Sequence, residues 1–200
     1  FCVDYRKLNA VTIKDSYPLP RIDDSLDTLA GSTWFSTLDL QSGYWQVEMA
    51  DEDKERTAFA TGTGLYQFKV MPFGLCNAPA TFERLMEKVL NGLQWQTCLI
   101  YIDDIVSYGS NFQQALERLE EVVVRLKTAG LKLSPKKCHL FQRSVSFLGH
   151  IISEKGIATD DAKTATVRNW PTPKNVTDLR SFLGLCSYYR RFVRGFEIGR

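Results

Sequence analysis

The sequence lacks the features that mark membrane, secreted and zinc-binding proteins. No apolar run approaches the roughly eighteen residues that cross a bilayer, and no signal-peptide pattern opens the chain. Five cysteines are scattered singly, without a Cys-x-x-Cys pair. Cys138 and His139 are adjacent, but no second pair completes a zinc site. These absences predict a reduced intracellular protein with no membrane segment and no structural metal.

Internal repeats and low-complexity tracts are also missing. With 200 residues, 44% of them hydrophobic and 24% charged, the chain suits one or two compact globular units. It starts at Phe1 directly in strand-like sequence. We therefore expect it to be a piece of a longer protein, without the element that comes before.

Charge is spread unevenly along the chain. Residues 163–200 carry eight basic and two acidic side chains, a net charge of +6, so the rest of the chain carries 2 − 6 = −4. A basic end beside an acidic body suits a protein that holds a polyanion with one part and cations with the other. A solvated basic helix face explains the same charge equally well.

Hydrophobic periodicity predicts a mixture of helices and antiparallel strands. Strands are expected at 34–40, 56–60, 65–70, 98–102, 105–108 and within 145–153. Long amphipathic helices are expected at 80–93 and 112–129, and a further helix is expected to begin with Thr177 as its cap. This order favours an α+β fold, with helices on one face of an antiparallel sheet.

Three aspartates stand at the ends of apolar strands. Asp103 and Asp104 lie between two such strands, and Asp39 comes near the end of a third. An Asp-Asp pair at a hairpin is by itself more often a solvated turn. Three converging carboxylates, however, would form a hard-oxygen site suited to Mg²⁺. Their convergence is a prediction for the tertiary structure.

Six motifs occur in an order that identifies a family. They are VDYRKLN at 3–9, FSTLDLQSGY at 35–44, MPFGLCNAP at 71–79, YIDD at 101–104, FLGH at 147–150, and FLGL with YYRRF between 182 and 192. Together they resemble the reverse transcriptases of gypsy-type LTR retrotransposons, over the whole length of the chain. The resemblance implies a right-hand polymerase, with a palm of antiparallel sheet and packed helices and with partial fingers and a partial thumb. We expect fingers at 1–14 and 47–77, palm at 15–46 and 78–155, and thumb at 156–200.

The resemblance also implies a catalytic metal site. Asp39 and Asp103 would ligate two Mg²⁺ ions, for which Mn²⁺ is a possible substitute. Asp104 would assist, and the carbonyl of Leu40 would be a backbone ligand.

A nucleotide pocket is implied by further matches to the family. Tyr44 would be the aromatic gate under the incoming sugar, Phe73 would pack on the sugar and base, and Gly74 would allow close backbone approach. Backbone N–H groups near Gln41 and Ser42 can hold triphosphate oxygens. Tyr44 is otherwise a core tyrosine, and Phe73 is otherwise an apolar turn residue.

Two further sites follow from the same resemblance. Lys137 matches a lysine near the leaving pyrophosphate and is a candidate proton donor, although an exposed structural lysine is an equal alternative. Leu148, Gly149 and His150 resemble the grip on the 3′ end of the primer. His150 is otherwise a plain strand residue.

The implied activity is RNA-directed DNA polymerisation. The expected partners are an RNA or DNA template with its primer, dNTPs, and ribonuclease H and integrase regions of the same polyprotein. A cytoplasmic location within retroelement particles is expected. Three alternatives stay open: a catalytically silent nucleic-acid-binding remnant, an RNA-templated RNA polymerase, and a divalent-metal hydrolase. Tyr44 disfavours the RNA polymerase, and the lack of a His ligand disfavours the hydrolase.

Overall fold

The computed structural model of the protein describes residues 2–196. Its helices are α1 (Arg6–Val11), α2 (Ile22–Asp27), α3 (Asp51–Lys54), α4 (Ala78–Val89), α5 (Phe112–Thr128), α6 (Asp161–Arg168) and α7 (Val176–Tyr188). Its strands are β1 (Trp34–Asp39), β2 (Phe59–Thr61), β3 (Gly64–Tyr66), β4 (Cys98–Tyr101), β5 (Asp104–Gly109), β6 (His139–Gln142), β7 (Ser144–Phe147), β8 (His150–Ser153) and β9 (Gly156–Thr159). Short 3₁₀ turns lie at Gly43–Gln46, Glu55–Thr57, Pro135–Lys137 and Arg190–Phe192. No helix within residues 2–196 is long and apolar enough to cross a membrane.

The largest sheet has four strands in the order β4-β5-β1-β6, all paired antiparallel. β1 and β5 pair along their whole length, which sets Asp39 opposite Asp104. β2 and β3 form a hairpin, and β7, β8 and β9 form a three-stranded meander. This arrangement confirms the α+β fold with antiparallel sheets.

Apolar layers cover both faces of the four-stranded sheet. Because successive side chains of a strand point to opposite faces, Ile100 and Ile105 enter one core while Leu99 and Val106 enter another. The first core packs on Phe82 and Met86 of α4 and on Val122 and Leu126 of α5. The second packs on Leu26 and Leu29 in and after α2, and on Val145, Phe147 and Ile152 of the meander. Helices therefore flank both faces of the sheet, instead of the single face expected from the order of elements.

Two local predictions are corrected by the structure. The cap of α7 is Asn175, whose side chain accepts the N–H of Asp178 at 2.8 Å, so Thr177 lies inside the helix. The predicted strand at 56–60 is replaced by β2, which begins at Phe59 because Glu55–Thr57 forms a 3₁₀ turn. The predicted strand at 65–70 is replaced by β3, which ends at Tyr66.

The boundaries of fingers, palm and thumb stay predictions. Of the charged residues counted between 163 and 200, Glu197 and Arg200 lie outside the described residues.

Candidate active site

The Asp103-Asp104 pair lies at a tight hairpin between β4 and β5. Tyr101 pairs with Asp104, so Ile102 and Asp103 are the two turn residues. Ile102 has a φ of +57°, which is unusual for a β-branched side chain and indicates a strained turn. Its N–H donates to Glu83 Oε2 of α4 at 2.6 Å. A buried carboxylate of a neighbouring helix thus stabilises the turn that carries Asp103.

Asp39 and Asp104 face each other across the β1–β5 ladder. Directly opposed residues of an antiparallel pair place their side chains on the same face of the sheet, with Cβ atoms roughly 5 Å apart. Asp39 Oδ2 accepts from Lys137 Nζ at 3.3 Å, whereas Asp39 Oδ1 is buried without a partner within the described residues. A buried carboxylate oxygen without a partner is rare in folded proteins and is expected where a cation binds.

The negative charges around Asp104 also indicate a site at which a cation would bind. Loss of hydration raises the pKa of its carboxyl above the ordinary value, and the negative charges of Asp103 and Asp39 raise it further. Lys137 opposes this effect. The side chain itself is open to solvent, so the rise reflects crowded like charges as well as the surrounding protein. A divalent cation would relieve this repulsion, and these residues therefore fit one.

The carboxylates are not arranged as a finished ligand set. Between residues 2 and 196, no group of three His, Cys, Asp or Glu side chains is placed to hold a metal ion. Like charges repel, and Lys137 neutralises Asp39 in this conformation. The structure thus brings Asp39 and Asp104 to one face, beside the turn of Asp103, without a converged site.

The backbone after β1 is fixed by the segment before Lys137. Gln41 N–H donates to the carbonyl of Lys132 at 2.9 Å, and the Gln46 side chain bonds both of these residues. Ser42 follows with a φ of +53°. The Gln41 N–H is therefore engaged within the protein, and binding a phosphate oxygen there would require this bond to break.

Aromatic rings line the site on the other side of Asp103. Tyr44 packs on Phe73, with ring centroids 5.2 Å apart, and on Phe82 at 5.5 Å. Phe73 is half-exposed, and Trp45 also packs on it. Burial raises the pKa of the Tyr44 hydroxyl, and the negative charge of Asp103 raises it further. The structure thus brings Tyr44 and Phe73 together, as a shared pocket requires.

Gly74 follows Phe73 with a φ of +95°, a conformation that favours glycine. Its carbonyl accepts from Asn9 of α1 at 2.7 Å, and Asn9 also accepts from the N–H of Cys76. Asn9 therefore ties the first helix to the predicted nucleotide-pocket motif.

A cleft of about 220 Å³ joins the carboxylates to the β7–β8 hairpin. Its lining includes Asp39, Asp104, Lys137, His139 and Leu148. Leu148 and Gly149 form the hairpin turn, with φ values of +46° and +69°. His150 is only 2% exposed and its Nδ1 is 2.8 Å from the carbonyl of Leu148, so its ring lies under the turn rather than in the cleft.

Two residues that support the site were not predicted from the sequence. Glu83 is fully buried, and a charged residue at a core position of the 80–93 helix was the available signal. Gly43 is buried where an added Cβ would lie 3.0 Å from Phe82 Cζ and 3.3 Å from Asp103 Cβ. A larger residue at position 43 would therefore crowd the contact between the 3₁₀ turn of Tyr44 and the β4–β5 hairpin.

Comparison with known proteins connects this geometry to a family. The model of the reverse transcriptase (RNA-dependent DNA polymerase) family matches residues 1–152. The chain is 41% identical over 194 residues to the retrovirus-related Pol polyprotein from transposon 297 of Drosophila melanogaster. It is 39% identical to that from transposon gypsy of the same species, and 35% identical to the Tf2-3 polyprotein of Schizosaccharomyces pombe. These matches cover 96–97% of the chain but only 14–19% of the relatives.

Solved structures give the same result for the fold. A foamy viral protease-reverse transcriptase in complex with double-stranded DNA superposes on 96% of the chain with a TM-score of 0.87 and 28% identity, and the match covers 34% of that protein. The form in complex with an RNA/DNA hybrid gives a TM-score of 0.79 and 27% identity, over 94% of this chain and 25% of that one. The predicted right-hand polymerase fold is confirmed, and the chain belongs to the reverse transcriptase family, with the gypsy-type Pol polyproteins among its relatives.

Proposed function

We propose that this chain is the catalytic core of an RNA-directed DNA polymerase. It would transfer deoxynucleotides to the 3′-hydroxyl of a primer, with RNA or DNA as the template. The observation that carries the proposal is the placement of Asp39 opposite Asp104, beside the Asp103 turn, in a member of this family.

The carboxylates supply the ligands for divalent cations, on which reverse transcriptases generally depend. Asp39 and Asp103 would hold two Mg²⁺ ions, or Mn²⁺ in their place, with Asp104 and the Leu40 carbonyl assisting. When bound, such ions favour the ionised form of an attacking hydroxyl and stabilise the charge of a leaving pyrophosphate. The partnerless Oδ1 of Asp39 and the raised pKa of Asp104 support this assignment.

In this proposal Lys137 pairs first with Asp39 and then with the triphosphate of the incoming nucleotide. Its ammonium group pairs with Asp39 in the present structure. The ammonium group is exposed beyond its contact with Asp39, so it would be able to leave Asp39 and turn toward a triphosphate. Lys137 could then donate a proton to the leaving pyrophosphate. A structural lysine would instead keep the pair and contribute no pH dependence to catalysis.

The aromatic pocket would select the sugar. The packing of Tyr44 on Phe82 and Phe73 holds its ring in one position near Asp103. A ring there would occupy the space of a ribose 2′-hydroxyl, while Phe73 would pack on the sugar and base of a dNTP. Gly74 would let the backbone approach them, and the N–H groups near Gln41 and Ser42 would bind triphosphate oxygens after local rearrangement.

The β7–β8 turn would hold the end of the primer. Leu148 lines the cleft that contains Asp39 and Asp104, so a primer terminus on Leu148 and Gly149 lies beside the carboxylates. Duplex bound in this way would be held mainly by its backbone, independently of sequence. The structurally similar foamy viral enzymes bound to an RNA/DNA hybrid and to double-stranded DNA support such a partner.

The wider setting follows from the relatives, which are Pol polyproteins. We propose that ribonuclease H and integrase regions belong to the same polyprotein, and that the enzyme acts in the cytoplasm within retroelement particles.

Primer extension with the full-length polymerase that contains this chain tests the proposal. Asp103→Asn is expected to abolish nucleotide addition and to leave template–primer binding nearly unchanged, because it removes a metal ligand and no phosphate contact. Glu120→Gln, which removes a carboxylate on the exposed side of α5, is the matched control and should extend normally. Extension by Asp103→Asn would contradict the active site. A wild-type protein that binds duplex without extending it would be the silent remnant.

A further inference from the structure

The five residues 188–192, with the sequence Tyr-Tyr-Arg-Arg-Phe, end α7 and dock it against the rest of the molecule. We call them the latch segment. Although two of them are basic and could in principle contact phosphates, each of the five has a partner within the protein. These partners belong to the β7–β8 hairpin and to α2.

Two tyrosine hydroxyls of the latch segment bind the turn of that hairpin. Tyr188 donates to the carbonyl of Leu148, and Tyr189 donates to the carbonyl of Gly149 at 3.2 Å. Both residues lie in the turn beyond the last pair of the β7–β8 ladder, so their carbonyls need partners other than the ladder. A Cβ at Gly149 would lie 3.3 Å from the Tyr189 hydroxyl. A side chain at position 149 would therefore crowd the Tyr189 hydroxyl, and the φ of +69° also favours glycine there.

Beneath the turn, His150 is the centre of an aromatic cluster. Its ring centroid lies 5.4 Å from that of Tyr188, 5.6 Å from Tyr189 and 5.7 Å from Phe192. His150 and Tyr189 are buried, at 2% and 6% exposure. This packing stabilises the contact between the latch segment and the hairpin, because buried aromatic pairs are favourable.

The two arginines of the latch segment pair with acidic residues of α2. Arg190 lies 3.4 Å from Asp23, and Arg191 pairs with Asp27. The pairs are partly exposed, so each contributes little stability, but both join the segment to α2. Each guanidinium group therefore has a carboxylate partner within the protein, with which a template–primer phosphate would compete.

We propose that the latch segment is a positioning device for the primer terminus, in which Tyr188 and Tyr189 hold the Leu148–Gly149 turn. The proposal rests on the proposed function, since the turn matters for catalysis only if it holds a primer end. Small movement of the turn would misplace the attacking hydroxyl relative to Asp39 and Asp104, and such misplacement lowers the rate of the chemical step. The effect belongs to the turnover rate and not to dNTP binding.

The double variant Tyr188→Phe/Tyr189→Phe removes the two hydroxyls and keeps the rings. In the full-length polymerase, the maximal rate of extension is expected to fall about five- to tenfold, with the KM for dNTP and the affinity for duplex nearly unchanged. Amide hydrogen exchange of residues 144–153 should become faster by a similar factor. Tyr17→Phe, which removes a hydroxyl bonded to Glu87 of α4, is the matched control. It should change neither the maximal rate of extension nor the amide exchange of residues 144–153.

Exchanging the charges of Arg191 and Asp27 distinguishes a structural role of Arg191 in the latch segment from a direct contact with template–primer phosphates. Arg191→Asp alone should loosen the segment, accelerate exchange in α2 and slow extension, because the introduced carboxylate would repel Asp27. The double variant Arg191→Asp/Asp27→Arg should restore both the slow amide exchange in α2 and the rate of extension. If Arg191 contacts phosphate instead, the second change will not restore extension, and duplex affinity will stay reduced.

The two proposals fail in different ways. Normal extension and unchanged exchange at residues 144–153 in the double tyrosine variant would overturn the latch while leaving the polymerase intact. Absence of extension by the wild-type enzyme would overturn the proposed function, and the exchange measurement would still report whether the hydroxyls hold the turn.

Discussion

In the proposed polymerase, a single side chain, Tyr44, would decide which nucleotides the pocket admits. Tyr44 is held between Phe73 and Phe82, so its ring cannot turn away without losing both contacts. Tyr44→Val is expected to open space at the 2′ position and admit ribonucleotides, with deoxynucleotide addition comparatively intact. The measurement is primer extension with NTPs and dNTPs in parallel. Unchanged discrimination would remove Tyr44 from the sugar pocket.

A second residue links burial to pH-dependent stability. Burial raises the pKa of the Glu83 carboxyl above its ordinary value of 4.5, the Ile102 N–H opposes the rise, and the charge of Glu87 adds to it. The folded chain therefore binds this proton more tightly than the unfolded chain does. The contribution of Glu83 to the free energy of unfolding therefore falls as pH rises from about 4.5 through the raised pKa, and then levels off.

Glu83→Gln keeps an oxygen acceptor for Ile102 and removes the charge. We expect it to match the wild type in acid and to exceed its free energy of unfolding near neutrality, as measured by urea denaturation across this pH range. Glu83→Ala is the contrasting variant. It leaves the Ile102 N–H without its acceptor, at a cost of about 1–3 kcal/mol. Equal pH dependence in the wild type and Glu83→Gln would show that Glu83 does not titrate there.

At the scale of elements, the proposed active site would depend on how closely the 3₁₀ turn at Gly43–Gln46 lies against the β4–β5 hairpin. Gly43→Ala would set a methyl group 3.0 Å from Phe82 and 3.3 Å from Asp103. We expect a loss of about 1–3 kcal/mol in stability, and a loss of extension rate because Asp103 shifts. Gly62→Ala is the control, since a Cβ there meets nothing within 4 Å. Wild-type rate and stability in Gly43→Ala would show that the two elements can separate without consequence.

The spacing of apolar residues predicts where helices form more accurately than it predicts the residues at which they begin and end. Apolar side chains at helical spacing predicted α4 and α5 within a few residues, because burying one face is a local requirement. The cap of α7 was misplaced by two residues, since Asn175 and Thr177 are both suitable cap residues and only the backbone conformation distinguishes them.

For the whole molecule, the distribution of charge predicts how duplex binding responds to salt. Lys174 and Arg180 are exposed basic residues at and near the start of α7, whereas Arg190 and Arg191 are paired with α2. If Lys174 and Arg180 bind phosphates, the variant Lys174→Ala/Arg180→Ala should have a smaller slope of log affinity against log salt. The reduction should be about 0.7–0.9 for each phosphate that is no longer neutralised. Arg190→Ala/Arg191→Ala should leave that slope unchanged. A reduced slope in the second variant alone would place the phosphate-binding residues on the latch segment.

The sequence by itself determined the family, the α+β class and the position of three aspartates at strand ends. These follow from short motifs and from local periodicity, which need no knowledge of distant contacts. Only the tertiary structure decided that Asp39 faces Asp104, that Glu83 holds the Ile102 turn, and that the arginines of the latch segment pair with α2. Each of these contacts joins residues far apart in the chain, and their meeting depends on strand register and core packing, which no local pattern encodes.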